Sequence, residues 1–227
     1  MFIKINYKFF NKIFVIVYIS TCLINPCYGG KINSQYEEIL SRFETKLNCT
    51  RETAIKIFHI INLFTDSIQN ALARLASSDI SKINYTKYID QTIKQYFESD
   101  KATVQVSNLR DNTIKTYSIK DYLYSIVNLK KKYKTTKIEL SYYSGYLGIS
   151  HLTKISTTKY ELSVSMWQTF RGYFGDYNIY SDATKKQFSL IINLDNNKIS
   201  IAVSHITVLE TNNYEFEKDI WQRTRNQ

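Results

Sequence analysis

Apolar residues recur at helical spacing through the first part of the chain and at strand spacing through the rest. Tyr36, Ile39, Leu40, Phe43 and Leu47 fall on one side of a helix, and Ser34 three residues ahead of Glu37 has the spacing of a capping box. A second helix is predicted from near Thr50 to about Ala76. Its broad stripe of Ile55, Phe58, Ile61, Phe64, Ile68, Leu72 and Leu75 calls for heavy burial. Ser77-Ser78-Asp79 interrupts the pattern, and a third helix carrying Tyr85, Ile89, Ile93, Tyr96 and Phe97 is expected to end near Asp100.

From there the period falls to two. Ala102, Val104 and Val106 alternate with polar residues, Arg110-Asp111-Asn112 is turn chemistry, and Thr113 to Tyr117 is the returning strand of a hairpin. Ser118 can cap a short helix whose apolar face is Ile119, Tyr122, Leu123, Ile126 and Val127. Four further strands are predicted around Ile138–Tyr142, Tyr160–Met166 (continuing towards Phe170), Phe188–Leu194 and Ile199–Leu209. Asp195-Asn196-Asn197-Lys198 forms a hairpin turn between the last two.

Ahead of these elements stand Lys4, Lys8 and Lys12, an apolar run from Ile13 to Ile24, and Asn25-Pro26-Cys27-Tyr28-Gly29-Gly30. A basic start, a short apolar run and small residues follow the plan of a secretory signal peptide; a membrane-spanning helix would need roughly 18 apolar residues. The expected organisation is a signal peptide over 1–30 and an N-terminal helical segment over 31–78. A cone-like α+β domain over 79–211, sharing the second helix, and a tail over 212–227 complete it. The leader implies export to the periplasm or beyond. Cleavage near Gly29 or Gly30 fits better than a lipid anchor on Cys27, because Ile24-Asn25-Pro26 departs from the small residues that precede an acylated cysteine.

The formal net charge of +10 falls to +7 once the three leader lysines are removed. A basic surface favours anionic partners without specifying a fold. The densest patch, Lys130-Lys131-Lys132-Tyr133-Lys134 with Lys137 beyond, suits the negative end of a helix dipole. A nucleic-acid groove would require more arginine and a recognisable motif, so nucleic acid is not an expected partner. Membrane contact is expected through the N-terminal segment alone, if that segment is retained. Cys22 and Cys27 lie in the leader, which leaves Cys49 without a disulfide partner or a cysteine-based metal site. No histidines stand at His-x-x-x-His spacing, and no phosphate loop or nucleophile elbow is present, so neither metal nor cofactor is expected.

The candidate ligand-binding residues are His205, Gln168, Tyr160, Tyr173, Phe174 and Tyr177. Regular alternation would put His205 on one face with Ile199, Ile201 and Val203, at the end of an apolar row. Gln168 ends the row of Leu162, Val164 and Met166, where a polar group could orient a ligand. Tyr173, Phe174 and Tyr177 flank the turn at Gly175-Asp176 and offer rings from a loop. Asp182 and Thr184 are expected just before a strand, with turn or edge hydrogen bonding. His59 is expected at the margin of a packed helix face and His151 in an exposed loop.

The element order resembles the nuclear-transport-factor-2-like superfamily, or cystatin-like cones. The pieces carrying the likeness are Val104-Gln105-Val106-Ser107-Asn108, Asp121-Tyr122-Leu123, Trp167-Gln168-Thr169-Phe170-Arg171-Gly172-Tyr173 and Tyr180-Ser181-Asp182-Ala183-Thr184-Lys185-Lys186. These stretches also look like exported uncharacterised proteins of Bacteroidetes-type bacteria. The resemblance implies an α+β fold in which a strongly curved antiparallel sheet wraps N-terminal helices, leaving a cone whose mouth holds a ligand or is filled by side chains. Three functions follow as expectations. The first is an exported, non-enzymatic module of the bacterial envelope that binds a small ligand or a protein, with a homodimer formed through its sheet. The second is a small cavity enzyme of isomerase, dehydratase or hydrolase type with His205 or Asp182 as base. The third is a secretion-system assembly subunit anchored by its leader.

Overall fold

The computed structural model describes residues 29–77, 82–108, 113–195 and 198–213. Helices α1 (Gly29–Leu47), α2 (Arg51–Ser77) and α3 (Lys82–Tyr96) come first, then β1 (Thr103–Asn108) and β2 (Thr113–Ser118). Helices α4 (Ile119–Val127) and α5 (Leu129–Tyr133) lead into four long strands: β3 (Lys137–Lys154), β4 (Lys159–Phe174), β5 (Tyr177–Asp195) and β6 (Lys198–Asn213). The residues ahead of Gly29, where a signal peptide is expected, the segments 78–81, 109–112 and 196–197, where an interruption and two turns are expected, and the expected tail beyond Asn213 lie outside the described residues. Among the described residues no helix is long and apolar enough to cross a membrane.

Helix α1 starts before the predicted capping box, so Ser34 stands inside the helix and not at its cap. Helix α4 does use its predicted cap: the Oγ of Ser118 accepts from the Asp121 N–H at 3.1 Å. Helix α3 ends at Tyr96, short of Asp100.

The six strands form one sheet in the order β2-β1-β6-β5-β4-β3. Strands β3 to β6 are an antiparallel meander, as expected. The β1–β2 hairpin joins it through a parallel pairing of Thr103 and Val104 with His205 and Ile206, so the curved sheet is mixed and not wholly antiparallel. Extra residues at His151, Ser204 and Leu209 break the ladder registers. Such bulges bend a strand and increase its twist, which long strands need in order to close over helices. His151, expected in a loop, occupies a bulge inside β3 with φ 49°; its exposure is as expected.

One face of the sheet meets the helices. Ile39, Leu40 and Phe43 of α1 share a continuous core with Ile57, Ile61, Ile68 and Leu72 of α2, Leu123 of α4, and Leu162, Val164, Phe188, Leu190 and Val203 of the strands. Arg42 ties α1 to the sheet by donating from Nη1 to the Ile149 carbonyl at 3.1 Å.

Candidate functional site

Alternation along β5 is apolar near its end and polar near its start. Phe188, Leu190 and Ile192 are buried in the core, and the same face continues backwards through Lys186, Thr184 and Asp182. These are strand residues paired across β4, Met166 with Lys186, Gln168 with Thr184 and Phe170 with Asp182. The expectation that Asp182 and Thr184 precede the strand is therefore corrected: β5 begins at Tyr177 and both side chains stand on its helix-facing side.

Registry then draws a polar row across the sheet. Tyr142 of β3 pairs with Gln168 of β4, Gln168 with Thr184 of β5, and Thr184 with Thr211 of β6. Gln168 is 7% exposed, yet its Oε1, the Tyr142 hydroxyl and the Thr211 Oγ1 are buried without a hydrogen-bond partner. Thr184 approaches Ser107 of β1 at 3.3 Å, hydroxyl to hydroxyl. A buried polar atom left unpaired costs about 1–3 kcal/mol, so several on one row call for an explanation beyond packing.

Charge lies beside this row. Lys186 is 3% exposed, its ammonium stands 5.4 Å from the centre of the Tyr122 ring on α4, and it takes part in none of the ion pairs among the described residues. Burial pushes the lysine down to about 8, partly opposed by the Asp182 charge. Burial also raises the Asp182 carboxyl, while the Tyr180 hydroxyl, donating at 2.8 Å, and Lys186 pull it back. The Tyr122 and Tyr142 phenols are raised well above their usual range, first by burial, then by Asp182 on Tyr122 and by Tyr122 on Tyr142. Gln69 of α2 closes the far side, donating from Nε2 to the Met166 sulfur at 3.3 Å.

Of the predicted ligand-binding residues, Gln168 alone joins this cluster; Asp182, expected as the base of a cavity enzyme, lies beside it. The bulge at Ser204 lets Val203 and then Ile206 face the core, which turns His205 to the opposite face of the sheet. There its Nε2 meets the Ser189 hydroxyl at 2.7 Å and its Nδ1 the Ser204 hydroxyl at 3.1 Å. The alignment of His205 with Ile199, Ile201 and Val203 is thus corrected. Tyr160 is a core residue facing Ile192, several residues along β4 from Gln168. Tyr173 belongs to the strand and not to a loop: its hydroxyl donates to Glu139 at 2.9 Å, and Lys137 lies 5.4 Å from its ring. Phe174 and Tyr177 flank a two-residue turn and are exposed.

Cys49 is half-buried, its thiol raised by burial and directed at the Phe43 carbonyl, which suits packing and not nucleophilic chemistry. No cluster of His, Cys, Asp or Glu able to hold a metal occurs among the described residues. Tyr122, Tyr142, Thr184 and Lys186 were not among the predicted site residues. For Thr184 and Lys186 the available signal was the inward alternation of β5 continued backwards from Phe188, which lands on Lys186, Thr184 and Asp182.

No family model and no curated protein matches the chain. Solved structures resemble it in fold, all at low identity. A putative scytalone dehydratase from Novosphingobium aromaticivorans is 9% identical over 73% of this chain and 92% of its own, with a TM-score of 0.42. An NTF-2-like protein of unknown function from Shewanella oneidensis is 10% identical over 66% and 96%, with a TM-score of 0.29. The Mtr2-Mex67 M domain complex of C. albicans gives 10%, 66% and 95%, with a TM-score of 0.35. The Shewanella protein carries the NTF-2-like description that the element order resembles. Relatives of Bacteroidetes type do not stand among these neighbours.

Proposed function

We propose that this chain is an envelope ligand-binding domain, exported by its leader, that holds a small polar molecule between its helices and its sheet. The observation carrying this reading is the transverse row of buried, unpaired polar atoms at Tyr142, Gln168 and Thr211 beside Lys186 and Asp182. Tyr142 and Thr211 can donate or accept and Gln168 Oε1 accepts, so a ligand rich in hydroxyl or carbonyl groups would satisfy all three. Among the described residues Lys186 makes no ion pair, Asp182 acting on it only at longer range, which favours a ligand with an anionic or strongly dipolar group. The test is a thermal-shift screen of small hydroxylated carboxylates and sugars against the purified chain. A hit should raise the melting temperature of the natural chain and leave that of the combined Tyr142→Phe, Gln168→Leu variant unmoved. An equal response from both would place binding elsewhere and overturn the reading.

A second reading is favoured by the opposed displacements of Asp182 and Lys186, which bring an acid and a base towards the pH range where proton transfer is efficient. The chain would then turn over its ligand by proton transfer, with Asp182 as the base. Turnover unaltered by Asp182→Asn removes this reading and leaves binding intact.

A further inference from the structure

Two features that lie some forty residues apart in sequence meet at one end of the sheet. The β4–β5 hairpin turns through Gly175, at φ +60°, and Asp176, with glycine in the first central position as a type II′ turn requires. Its tip presents Phe174 at 61%, Tyr177 at 79% and Ile179 at 52% exposure. The chain leaving the lysine-rich helix α5 is fastened to this tip. Thr136 N–H donates to the Tyr173 carbonyl at 2.8 Å, the Gly175 N–H donates to the Thr136 hydroxyl at 2.9 Å, and Lys137 pairs with Tyr173 in the ladder. The Thr135 N–H donates back to the Lys130 carbonyl at 3.0 Å, which holds α5 against the same corner. Lys131, Lys132, Lys134 and Lys137 are exposed there; Glu139, bridged to Lys137 at 2.5 Å, and Asp176 at the turn are the neighbouring acids.

We infer that this corner docks on an anionic lipid surface, with Phe174, Tyr177 and Ile179 entering the headgroup boundary and the lysines of α5 meeting the headgroups. Aromatic rings with apolar bodies settle at that boundary, and clustered lysines beside them draw in anionic lipid. Charge complementarity and insertable side chains on one projecting turn select a bilayer. A flat protein partner would leave the tip standing proud, and a nucleic acid would have no use for Ile179, which lacks a ring face to stack on a base. The inference is independent of the interior site.

The test uses the full chain carrying Phe174→Trp, with the emission of the natural Trp167 and Trp221 subtracted by reference to the unsubstituted protein. The leader is common to every variant, so binding through it alone would survive the lysine and ring replacements that follow. On vesicles of phosphatidylcholine with phosphatidylglycerol, the new emission should shift to the blue and be quenched by brominated acyl chains. Replacing Lys131, Lys132 and Lys134 by Glu should weaken that binding by about 100-fold or more, as should high salt. Combined Phe174→Ser and Tyr177→Ser, which gives up the reporter position and is read by vesicle co-sedimentation, should weaken binding at least about tenfold, with an unchanged melting temperature. Emission unmoved by vesicles overturns the inference. So does an equal shift on phosphatidylcholine alone, or a shift caused by a single-stranded oligonucleotide and not by vesicles.

Discussion

Lys186 is a charged residue set in surroundings far from water. An ammonium placed under helices with its nearest described company an aromatic face and a half-buried carboxyl is held there against its own solvation. In the unfolded chain it titrates near 10.5; in the fold it is pushed down to about 8. Between these values the unfolded chain retains a proton that the folded chain has released, so this group makes the protein more stable as pH rises through that window. Below it the penalty is fully present. Lys186→Met keeps the length of the side chain and removes the charge, and near neutral pH it should stabilise the fold by on the order of 3 kcal/mol. That advantage should fade as pH climbs from about 8 towards 10.5. Urea unfolding of both proteins across this range measures it, and an advantage constant with pH would mean that the gain is packing alone. Tyr122 and Asp182 are the titratable groups facing Lys186, and the comparison at each pH cancels their own contributions to first order.

At the scale of elements, most of the fold was legible because each element carried its own period. Helices α1 to α4 and the four long strands stand where periods of 3.6 and 2 put them, and Ser118 caps α4 as its position before Ile119 suggested. What could not be read was where a strand breaks its alternation. One extra residue at Ser204 reverses the side on which His205 falls, and bulges depend on pairing across strands that the local pattern does not carry. The lengths of β3 and β5 were underestimated for a related reason: polar inward residues such as Thr184 and Lys186 look like strand ends until the neighbouring strand is placed beside them. The cap on α4 has a measurable weight. Ser118→Ala removes the acceptor for the Asp121 N–H and the hydroxyl that donates to the Asp121 carboxylate at 2.7 Å, and should cost about 1 kcal/mol. Because α4 carries Tyr122 and Leu123 into the interior, hydrogen exchange should accelerate across the helix as well. A variant as stable as the natural chain would show that the cap is idle.

Across the whole molecule, the mixed sheet and the helices enclose a core that is apolar along most of the strands and polar at one end. The apolar part accounts for stability: Leu162, Val164, Phe188, Leu190 and Val203 share one buried core with residues of α2 and α4. The polar end brings together residues from α4, β3, β4, β5 and β6, and of these only Gln168, as a ligand contact, and Asp182, as a base, had been singled out from sequence. The others were hidden because a tyrosine on a strand or an amphipathic helix face resembles any packing aromatic, and only the ladder shows that Tyr142, Gln168, Thr184 and Thr211 share one row. A fold that retains unpaired buried groups gives up stability at that place, a common trade at sites kept for a ligand. The most direct measurement is therefore the equilibrium unfolding free energy of the chain carrying both Tyr142→Phe and Gln168→Leu. The expected result is a more stable protein, by about 1–3 kcal/mol, that has lost its response to ligand; a less stable one would mean that these atoms already hold the fold together and that the row is no binding site.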